Sequence, residues 1–335
     1  MVEQVGRGVA VVTGGSAGLG RAIVRELADR GWDVAVLARD PDGLRGTVED
    51  VQAGHRRGLG VPVDVADDAQ VEAAARQVEE ELGPIDVWVN NAMVSVFAEF
   101  LDVTAEEFDR VTAVTYLGTV NGTRAALRRM VPRDRGHLVQ VGSALAFRGI
   151  PLQSAYCGAK HAMVGLTESV LTELHHRHSR VRVSMVHMPA LNTVQFDWVR
   201  TRLPGHPQPV PPIYQPEVGA RAVAYVVDHP RRSTWVGAPT VLTVLGNRVA
   251  PGLLDRYLGR TGYQSQQSDQ PASTMIGDDV FTPVPGDQGA HGAFDDRAHD
   301  HSVQLWLAQR KRPLAAGAAS LAALAWAGRA LRRDR

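Results

Sequence analysis

The sequence predicts a doubly wound α/β fold, in which helices cover both faces of a parallel sheet. Two observations lead to this prediction. From residue 8 to about residue 236, short runs rich in β-branched residues alternate with longer runs of helical periodicity. In addition, a glycine cluster at residues 14–20 lies between the first apolar run and the first helical run. In such folds this position holds a ligand-binding turn.

Six apolar runs are predicted as strands. Their nearly continuous apolar character is typical of strands that are buried on both faces, as in a parallel sheet. The runs cover residues 8–12, 33–38, 60–65, 85–90, 136–143 and 181–187.

Helices are predicted between these strands, and Gly31, Gly83 and Pro132 mark three of their ends. They cover residues 18–30, 67–82, 104–131 and about 152–178, and two more follow at 217–228 and about 240–258.

We predict a single domain over residues 1–260, followed by a C-terminal extension. Within the domain, the proline-rich segment 188–216 follows a strand and carries aromatic residues, as expected of a loop that contacts a substrate. Residues 261–310 are polar, rich in Gly, Pro, Gln and Asp, and lack periodicity. We expect them to form an irregular extension.

The last segment, residues 311–335, is predicted as an Ala-rich helix with basic flanks. Its uncharged part, residues 313–328, would rise about 24 Å as a helix, less than the ~30 Å of a bilayer core. Two interpretations stay open. The helix packs on the domain or on a second subunit, or it associates with a membrane through its cationic flanks.

Composition excludes several classes of protein. The 36 basic side chains balance the 36 acidic ones, so no nucleic-acid partner is expected. A single cysteine, Cys157, excludes an intramolecular disulfide framework. The N-terminus lacks the pattern of a signal peptide, so we expect a cytoplasmic protein. The histidines at 175–178 are interpreted as solvated, and no metal is expected.

The glycine cluster has the spacing of a dinucleotide-binding turn. Gly14 permits a tight exit from the first strand, Gly18 allows close approach of a pyrophosphate, and Gly20 allows a helix to pack closely on the strand. The N-terminus of the following helix then offers free N–H groups and a positive dipole end to the phosphates.

The motif Thr13-Gly14-x-x-x-Gly18-x-Gly20 resembles the cofactor turn of the short-chain dehydrogenase/reductase family. The resemblance continues through "NNAM" at 90–93, Ser143, Tyr156-x-x-x-Lys160 and "MPALNT" at 188–193, and covers residues 8 to about 250. It implies a Rossmann fold and a nicotinamide cofactor. The cofactor-binding residues that it implies are Thr13, Gly14, Ser16, Gly18, Leu19, Gly20, Arg39, Asp64, Val65, Asn91, Ala92, Tyr156, Lys160, Pro189 and Thr193.

The choice between NAD and NADP is predicted from the end of the second strand. An acid there would accept from the ribose 2′-hydroxyl of NAD, whereas an arginine would bind the 2′-phosphate of NADP. Ala38 stands where relatives that prefer NAD have the acid, and Arg39 follows. Because a guanidinium can hold a phosphate bidentately, NADP is predicted over NAD.

Tyr156 and Lys160 lie one helical turn apart and can act together. A tyrosine pKa near ~10 is unsuited to base catalysis, but a neighbouring ammonium favours the phenolate and lowers that pKa. We therefore predict Tyr156 as the acid/base of hydride transfer. Ser143 would polarise the substrate oxygen, and the resemblance gives Lys160 hydrogen bonds to the nicotinamide ribose.

The sequence departs from the family pattern in three places. Thr115 stands where relatives usually have an asparagine that holds a water of the proton path, and a hydroxyl cannot reproduce the hydrogen-bonding geometry of an amide. Met93 replaces a glycine, and Ala190 follows Pro189 where glycine is usual. These two changes alter the lining near the nicotinamide without removing a catalytic group.

The predicted function is an NADP-dependent oxidoreductase that interconverts an alcohol and a ketone or aldehyde. Apolar side chains in the loop indicate a lipophilic substrate, namely Leu191, Val194, Phe196, Trp198 and Leu203. A homodimer or homotetramer through the helices 104–131 and 152–178 is expected from the resemblance. The alternatives are an NADP-binding sensor or partner module with little or no turnover, and an enzyme at a membrane surface that acts on lipids.

Overall fold

The computed structural model describes residues 7–310, and thirteen strands lie in this part of the chain. They are β1 (Val9–Thr13), β2 (Asp33–Ala38), β3 (Gly58–Pro62), β4 (Ile85–Asn90), β5 (Val96–Phe97), β6 (His137–Ser143), β7 (Arg182–Met188), β8 (Arg200–Thr201), β9 (Gly205–Pro207), β10 (Ile213–Tyr214), β11 (Ser233–Trp235), β12 (Gln267–Pro271) and β13 (Ala298–His299).

Seven of these strands form one parallel sheet with the order β11-β7-β6-β4-β1-β2-β3, so the predicted fold class is confirmed. The strand order reverses between β1 and β4. A crevice opens at such a reversal, outside the carboxyl ends of the strands, and it is the usual place for a ligand. The remaining strands form three short two-stranded ribbons.

Eleven α-helices are described in the same residues. They are α1 (Gly18–Asp29), α2 (Pro41–Ala53), α3 (Asp68–Glu81), α4 (Ala105–Thr112), α5 (Gly118–Met130), α6 (Ser154–His176), α7 (Gln195–Trp198), α8 (Pro216–Asp228), α9 (Ala238–Val249), α10 (Pro251–Thr261) and α11 (Val303–Gln309).

Two apolar cores lie on opposite faces of the sheet. One core packs α1 and α8 against the strands, with Ile23 and Val223 fully buried. The other packs α3 and α5 on the opposite face, with Trp88 and Met130 fully buried. Since helices cover both faces of the sheet, its strands can be apolar along their whole length. This explains why the strands could be predicted from the sequence.

Three elements differ from the sequence prediction. Helix α2 was not predicted, although Asp40 caps it by accepting from Gly43 N at 2.6 Å. The predicted helix 104–131 is α4 and α5 joined by a π-helix, Ala113–Leu117. The predicted helix at 240–258 is broken into α9 and α10 before Pro251, because proline cannot continue the hydrogen-bond ladder.

The chain after α10 is mostly irregular and folds back over the domain. Near its beginning, the segment after α10 includes β12, which pairs with β9 of the 188–216 loop. At the end of the segment, α11 lies against α8 and β11. Among residues 7–310, no helix combines the length and apolar character that crossing a membrane requires. The Ala-rich segment 313–328 lies outside the described residues.

Candidate active site

A cavity of about 490 Å³ opens at the carboxyl ends of β1, β4, β6 and β7, where the strand order reverses. Of the residues predicted for the site, only Thr13 and Thr115 do not line it. The predicted residues that do are Gly14, Ser16, Gly18, Leu19, Gly20, Arg39, Asp64, Val65, Asn91, Ala92, Ser143, Tyr156, Lys160, Pro189 and Thr193.

The turn between β1 and α1 has the shape that a pyrophosphate requires. A Cβ on Gly20 would lie 2.0 Å from Gly14 O, and Gly14 itself has φ +62°. Gly18 has φ +55°, which disfavours any side chain. No side chain caps α1 at Ala17. Although Gly18 N donates to Gly289 O at 2.9 Å, the N–H groups of Leu19 and Gly20 remain available to an anion. The residues present therefore fit a dinucleotide.

Thr13 and Asn91 fix the ends of β1 and β4 to each other. Thr13 Oγ1 accepts from Asn91 N at 2.9 Å and from Ala92 N at 3.1 Å. The Asn91 side chain donates to Thr13 O and Gly14 O. Thr13 thus shapes the cofactor turn through the backbone and does not line the cavity.

Arg39 follows β2, as predicted, and its guanidinium lies at the cavity wall. Its Nη1 and Nη2 atoms donate to the backbone carbonyls of residues 279–281, which belong to the extension. The neighbouring carboxylate of Asp64 accepts from Arg110 Nη2 at 2.7 Å. Two arginines and the carboxyl groups of Asp64 and Asp279 therefore lie at this end of the cavity.

The three predicted catalytic side chains converge at the other end. Ser143 ends β6, and Tyr156 and Lys160 lie one turn apart near the start of α6. Lys160 Nζ donates to Val141 O at 2.8 Å and lies 5.6 Å from the centroid of the Tyr156 ring. Ser143 Oγ accepts from Leu145 N at 3.1 Å, and its side chain interacts with the Tyr156 hydroxyl.

The pKa of Tyr156 does not follow the sequence-based expectation. Burial raises this pKa, and the hydrogen bond with Ser143 opposes the change only in part. Burial also lowers the pKa of Lys160 to about 7, so much of the lysine is neutral at neutral pH. The lysine's charge alone does not make this phenol acidic, because both groups are desolvated.

Thr115 lies in the π-helix, fully buried. Its hydroxyl donates to Val94 O at 3.0 Å and accepts from Val94 N at 3.2 Å. These bonds hold the chain after β4, where Met93 and Val94 line the cavity. The proton of the Thr115 hydroxyl is therefore already donated to a carbonyl. The π-helix that carries Thr115 is an element that is frequent at functional sites. A role in proton transfer stays a prediction.

The loop 188–216 supplies an apolar wall. Four of its predicted residues, Leu191, Val194, Phe196 and Trp198, line the cavity. Leu203 does not line the cavity and packs against a small apolar cluster that contains Phe97 and Ile213.

The extension supplies site residues that the sequence did not reveal. They line the cavity at Ser265, Gln266, Asp279, Pro283, Val284, Gly286 and Gln288. Gln266 is 1% exposed and accepts from Gln153 Nε2 at 2.7 Å, immediately before α6. A polar, aperiodic stretch gives no signal of such contacts in the sequence.

Comparison with known proteins gives a consistent assignment. The family model described as short chain dehydrogenase matches residues 8–202. The uncharacterized oxidoreductase YxnA of Bacillus subtilis (strain 168) is 30% identical over 323 residues, which is 95% of this chain and 89% of that protein. That likeness therefore extends through most of the segment after α10.

Two further proteins match over shorter lengths. The L-2,3-butanediol dehydrogenase of Corynebacterium glutamicum is 34% identical over 169 residues, 50% of this chain and 66% of that protein. An alcohol dehydrogenase from the archaeon Thermococcus sibiricus, solved with 5-hydroxy-NADP, is 26% identical with a TM-score of 0.59. That match covers 68% of this chain and 94% of the solved one.

Proposed function

The chain belongs to the short-chain dehydrogenase family and is an NAD(P)-dependent oxidoreductase that acts on CH–OH groups; we propose that it interconverts a secondary alcohol and a ketone, or an aldehyde, with NADP. The observation that carries this proposal is the convergence of Ser143, Tyr156 and Lys160 on one cavity with the glycine turn.

In this proposal Tyr156 transfers the proton. A bound nicotinamide supplies the carbon that gives or takes the hydride. In the reductive direction the Tyr156 hydroxyl protonates the developing alkoxide, and in the oxidative direction its oxygen takes the alcohol proton. Ser143, already fixed by Leu145 N, holds the substrate oxygen beside the phenol. Lys160 Nζ lies 5.6 Å from the centroid of the Tyr156 ring, and the protonated lysine stabilises the phenolate.

The choice of NADP is supported by the charges at the adenosine end. The position after β2 carries Arg39, and the nearby Asp40 is engaged as the cap of α2. Among residues 7–310, Arg39 has no carboxylate within 4.0 Å, and the extension uses only its Nη atoms. Its Nε–H is therefore available to a 2′-phosphate.

An apolar substrate is supported by the wall of the cavity. Leu191, Val194, Phe196 and Trp198 face it from the loop, and Leu254, Tyr257 and Leu258 face it from α10. Such a lining favours ligands with a hydrocarbon body and one oxygen function.

The test is titration of the full chain with NADPH and NADH, followed by a screen of ketones and aldehydes. We expect tighter binding of NADPH, and Arg39→Ala should weaken NADPH by at least about tenfold while leaving NADH nearly unchanged. Tyr156→Phe should keep dinucleotide binding and lose turnover. Equal binding of both dinucleotides in the parent chain would contradict the NADP assignment.

A second candidate function is dinucleotide sensing without turnover. It is favoured by the raised pKa of Tyr156 and by the engaged Thr115 hydroxyl. In the same experiments, a chain that binds NADPH and reduces no carbonyl compound in the screen would support this candidate.

We also propose a homodimer or homotetramer through the surfaces of α5 and α6. Their exposed groove is lined by side chains such as Leu127 and Val170. Light scattering on the full chain tests this proposal. A cytoplasmic location and membrane association through 313–328 remain predictions, and fractionation of cells that express the full chain tests both.

A further inference from the structure

Residues 276–292 of the extension, here called the strap, cross the outer side of the cavity. At one end, Ile276 N donates to Asp197 O at 2.8 Å, which joins the strap to α7. At the other end, Gly18 N donates to Gly289 O at 2.9 Å, which joins it to the first residue of α1. The strap therefore runs from the substrate loop to the glycine turn.

The middle of the strap is seated on the adenosine end of the site. The backbone carbonyls of 279–281 accept from the guanidinium of Arg39, and Arg110 Nε donates to Val280 O at 2.9 Å. The Val280 side chain is fully buried in the core that contains Val65. Val280 is thus packed as an interior residue, although its segment has no regular secondary structure.

The far part of the strap is anchored by a buried cation. Arg21, in the first turn of α1, is 4% exposed and donates to Asp50 Oδ2 at 2.7 Å. Arg21 Nη1 donates to the carboxylate of Asp287. A hydrogen bond between a buried guanidinium and a carboxylate is among the stronger side-chain contacts, so this anchor holds the strap over the turn.

Between these anchors the strap forms part of the cavity wall. Its residues Asp279, Pro283, Val284, Gly286 and Gln288 line the cavity together with the glycine turn and Arg39. A dinucleotide that extends from Arg39 to Tyr156 would lie beneath the strap.

We propose that the strap is the outer wall of the dinucleotide site and that the cofactor exchanges only when the strap lifts, with Val280 and Asp287 as its positioning residues. This inference rests on the proposed function, because it requires a nicotinamide dinucleotide in the cavity. Its consequence is kinetic. A wall that must open slows both entry and exit, whereas a simple additional contact slows exit alone.

The experiment measures both rate constants of NADPH exchange in the full chain by stopped-flow fluorescence. Two variants loosen the strap by different means. Asp287→Ala removes the anchor, and Val280→Ala removes buried apolar contacts without any change of charge. Asp269→Ala is the matched control, since Asp269 is an exposed carboxylate of the same extension, on β12.

We expect both strap variants to raise the association and the dissociation rate constants by about tenfold, with a smaller change in Kd. Asp269→Ala should match the parent chain, and Asp287→Glu should restore slow exchange. Hydrogen exchange of the amides in 279–289 should slow when NADPH binds to the parent chain, a readout that is independent of activity.

The other possible results of this experiment either support or overturn the proposed role of the strap. Unchanged rate constants in both strap variants, or faster dissociation with unchanged association, would overturn the inference while leaving the proposed function intact. If the parent chain binds no dinucleotide but both strap variants do, the strap closes the site and the inference holds. If none of these proteins binds NADPH or NADH, the proposed function and the inference fail together.

Discussion

Burial of the Lys160 side chain should lower the free energy of unfolding of this protein. Lys160 is 3% exposed, and burial lowers its pKa from 10.5 to about 7. The difference of about 3.5 pH units corresponds to ~5 kcal/mol of unfavourable free energy when the lysine is charged, at ~1.36 kcal/mol per unit. At pH 7, where the folded protein is about half protonated at this site, ~4 kcal/mol of that cost remains.

The sign of the pH dependence follows from the direction of this pKa. Between pH 7 and 10.5 the unfolded chain binds more protons at Lys160 than the folded one does, so its contribution to stability becomes more favourable as pH rises through this window. Below pH 7 the full cost is present. The substitution Lys160→Met keeps most of the volume and removes the charge.

We expect Lys160→Met to be more stable than the parent chain by ~2 kcal/mol at pH 7. This value combines ~4 kcal/mol of relieved charge burial with a loss of ~2 kcal/mol for the hydrogen bond to Val141 O. The advantage should shrink as pH rises toward 10.5. Lys160→Arg, which keeps a cation, is the control and should show no gain.

Urea unfolding at pH 6, 7 and 9, without dinucleotide, measures the difference between variant and parent at each pH. Selective ¹³C labelling of lysine then gives the pKa directly, since the chain has only Lys160 and Lys311. A Lys160→Met protein that is less stable than the parent at every pH, or a Lys160 signal that titrates near 10.5, would refute the reasoning.

Three further predictions follow from the site and its supports. Gly20→Ala should abolish NADPH binding, measured by fluorescence titration, because its Cβ would meet Gly14 O at 2.0 Å; Ala17→Gly is the control and should still bind. Glu107→Gln should cost ~3 kcal/mol at pH 7 in urea unfolding. Although burial raises the pKa of Glu107, hydrogen bonds from Arg202, Thr104 N and Arg200 lower it to about 2. The stabilisation by the Glu107 carboxylate is therefore present above pH 4.5 and is lost as pH falls toward 2. An acid unfolding profile of Glu107→Gln identical to the parent's would contradict this. Thr115→Val should lose ~1–3 kcal/mol of stability and lower kcat more than it raises KM, since both hydrogen bonds to Val94 disappear. Thr115→Ser should retain most of the stability and most of kcat. A kcat equal to the parent's in Thr115→Val would show that Thr115 does not position the chain at Val94 for the reaction.

The sheet was predictable because its strands are buried on both faces. Each strand is then apolar over its whole length, and glycine or proline ends the helices between them. Helix α2 escaped prediction because Gly43 and Gly46 weaken its helical pattern. Its signals were the capping residue Asp40 and the proline at its first position, Pro41.

The proposed catalytic residues and the glycine turn could be identified in the sequence because each belongs to a motif with fixed spacing. The pKa of Tyr156 was not, since it depends on how deeply the tertiary structure buries the phenol. The strap was beyond prediction for another reason. It holds Arg39 through backbone carbonyls, and every residue of any sequence offers such an acceptor.

The contact between Gly289 and Gly18 joins the latest part of the described chain to one of the earliest. On the ribosome, residues 8–236 can acquire their layered architecture while the last hundred residues are still being polymerised, which takes roughly 5–20 s at typical elongation speeds. During that interval the groove of the nascent chain lacks the strap that later crosses it. A nucleotide that binds during that interval would then be covered as the proposed strap takes its place.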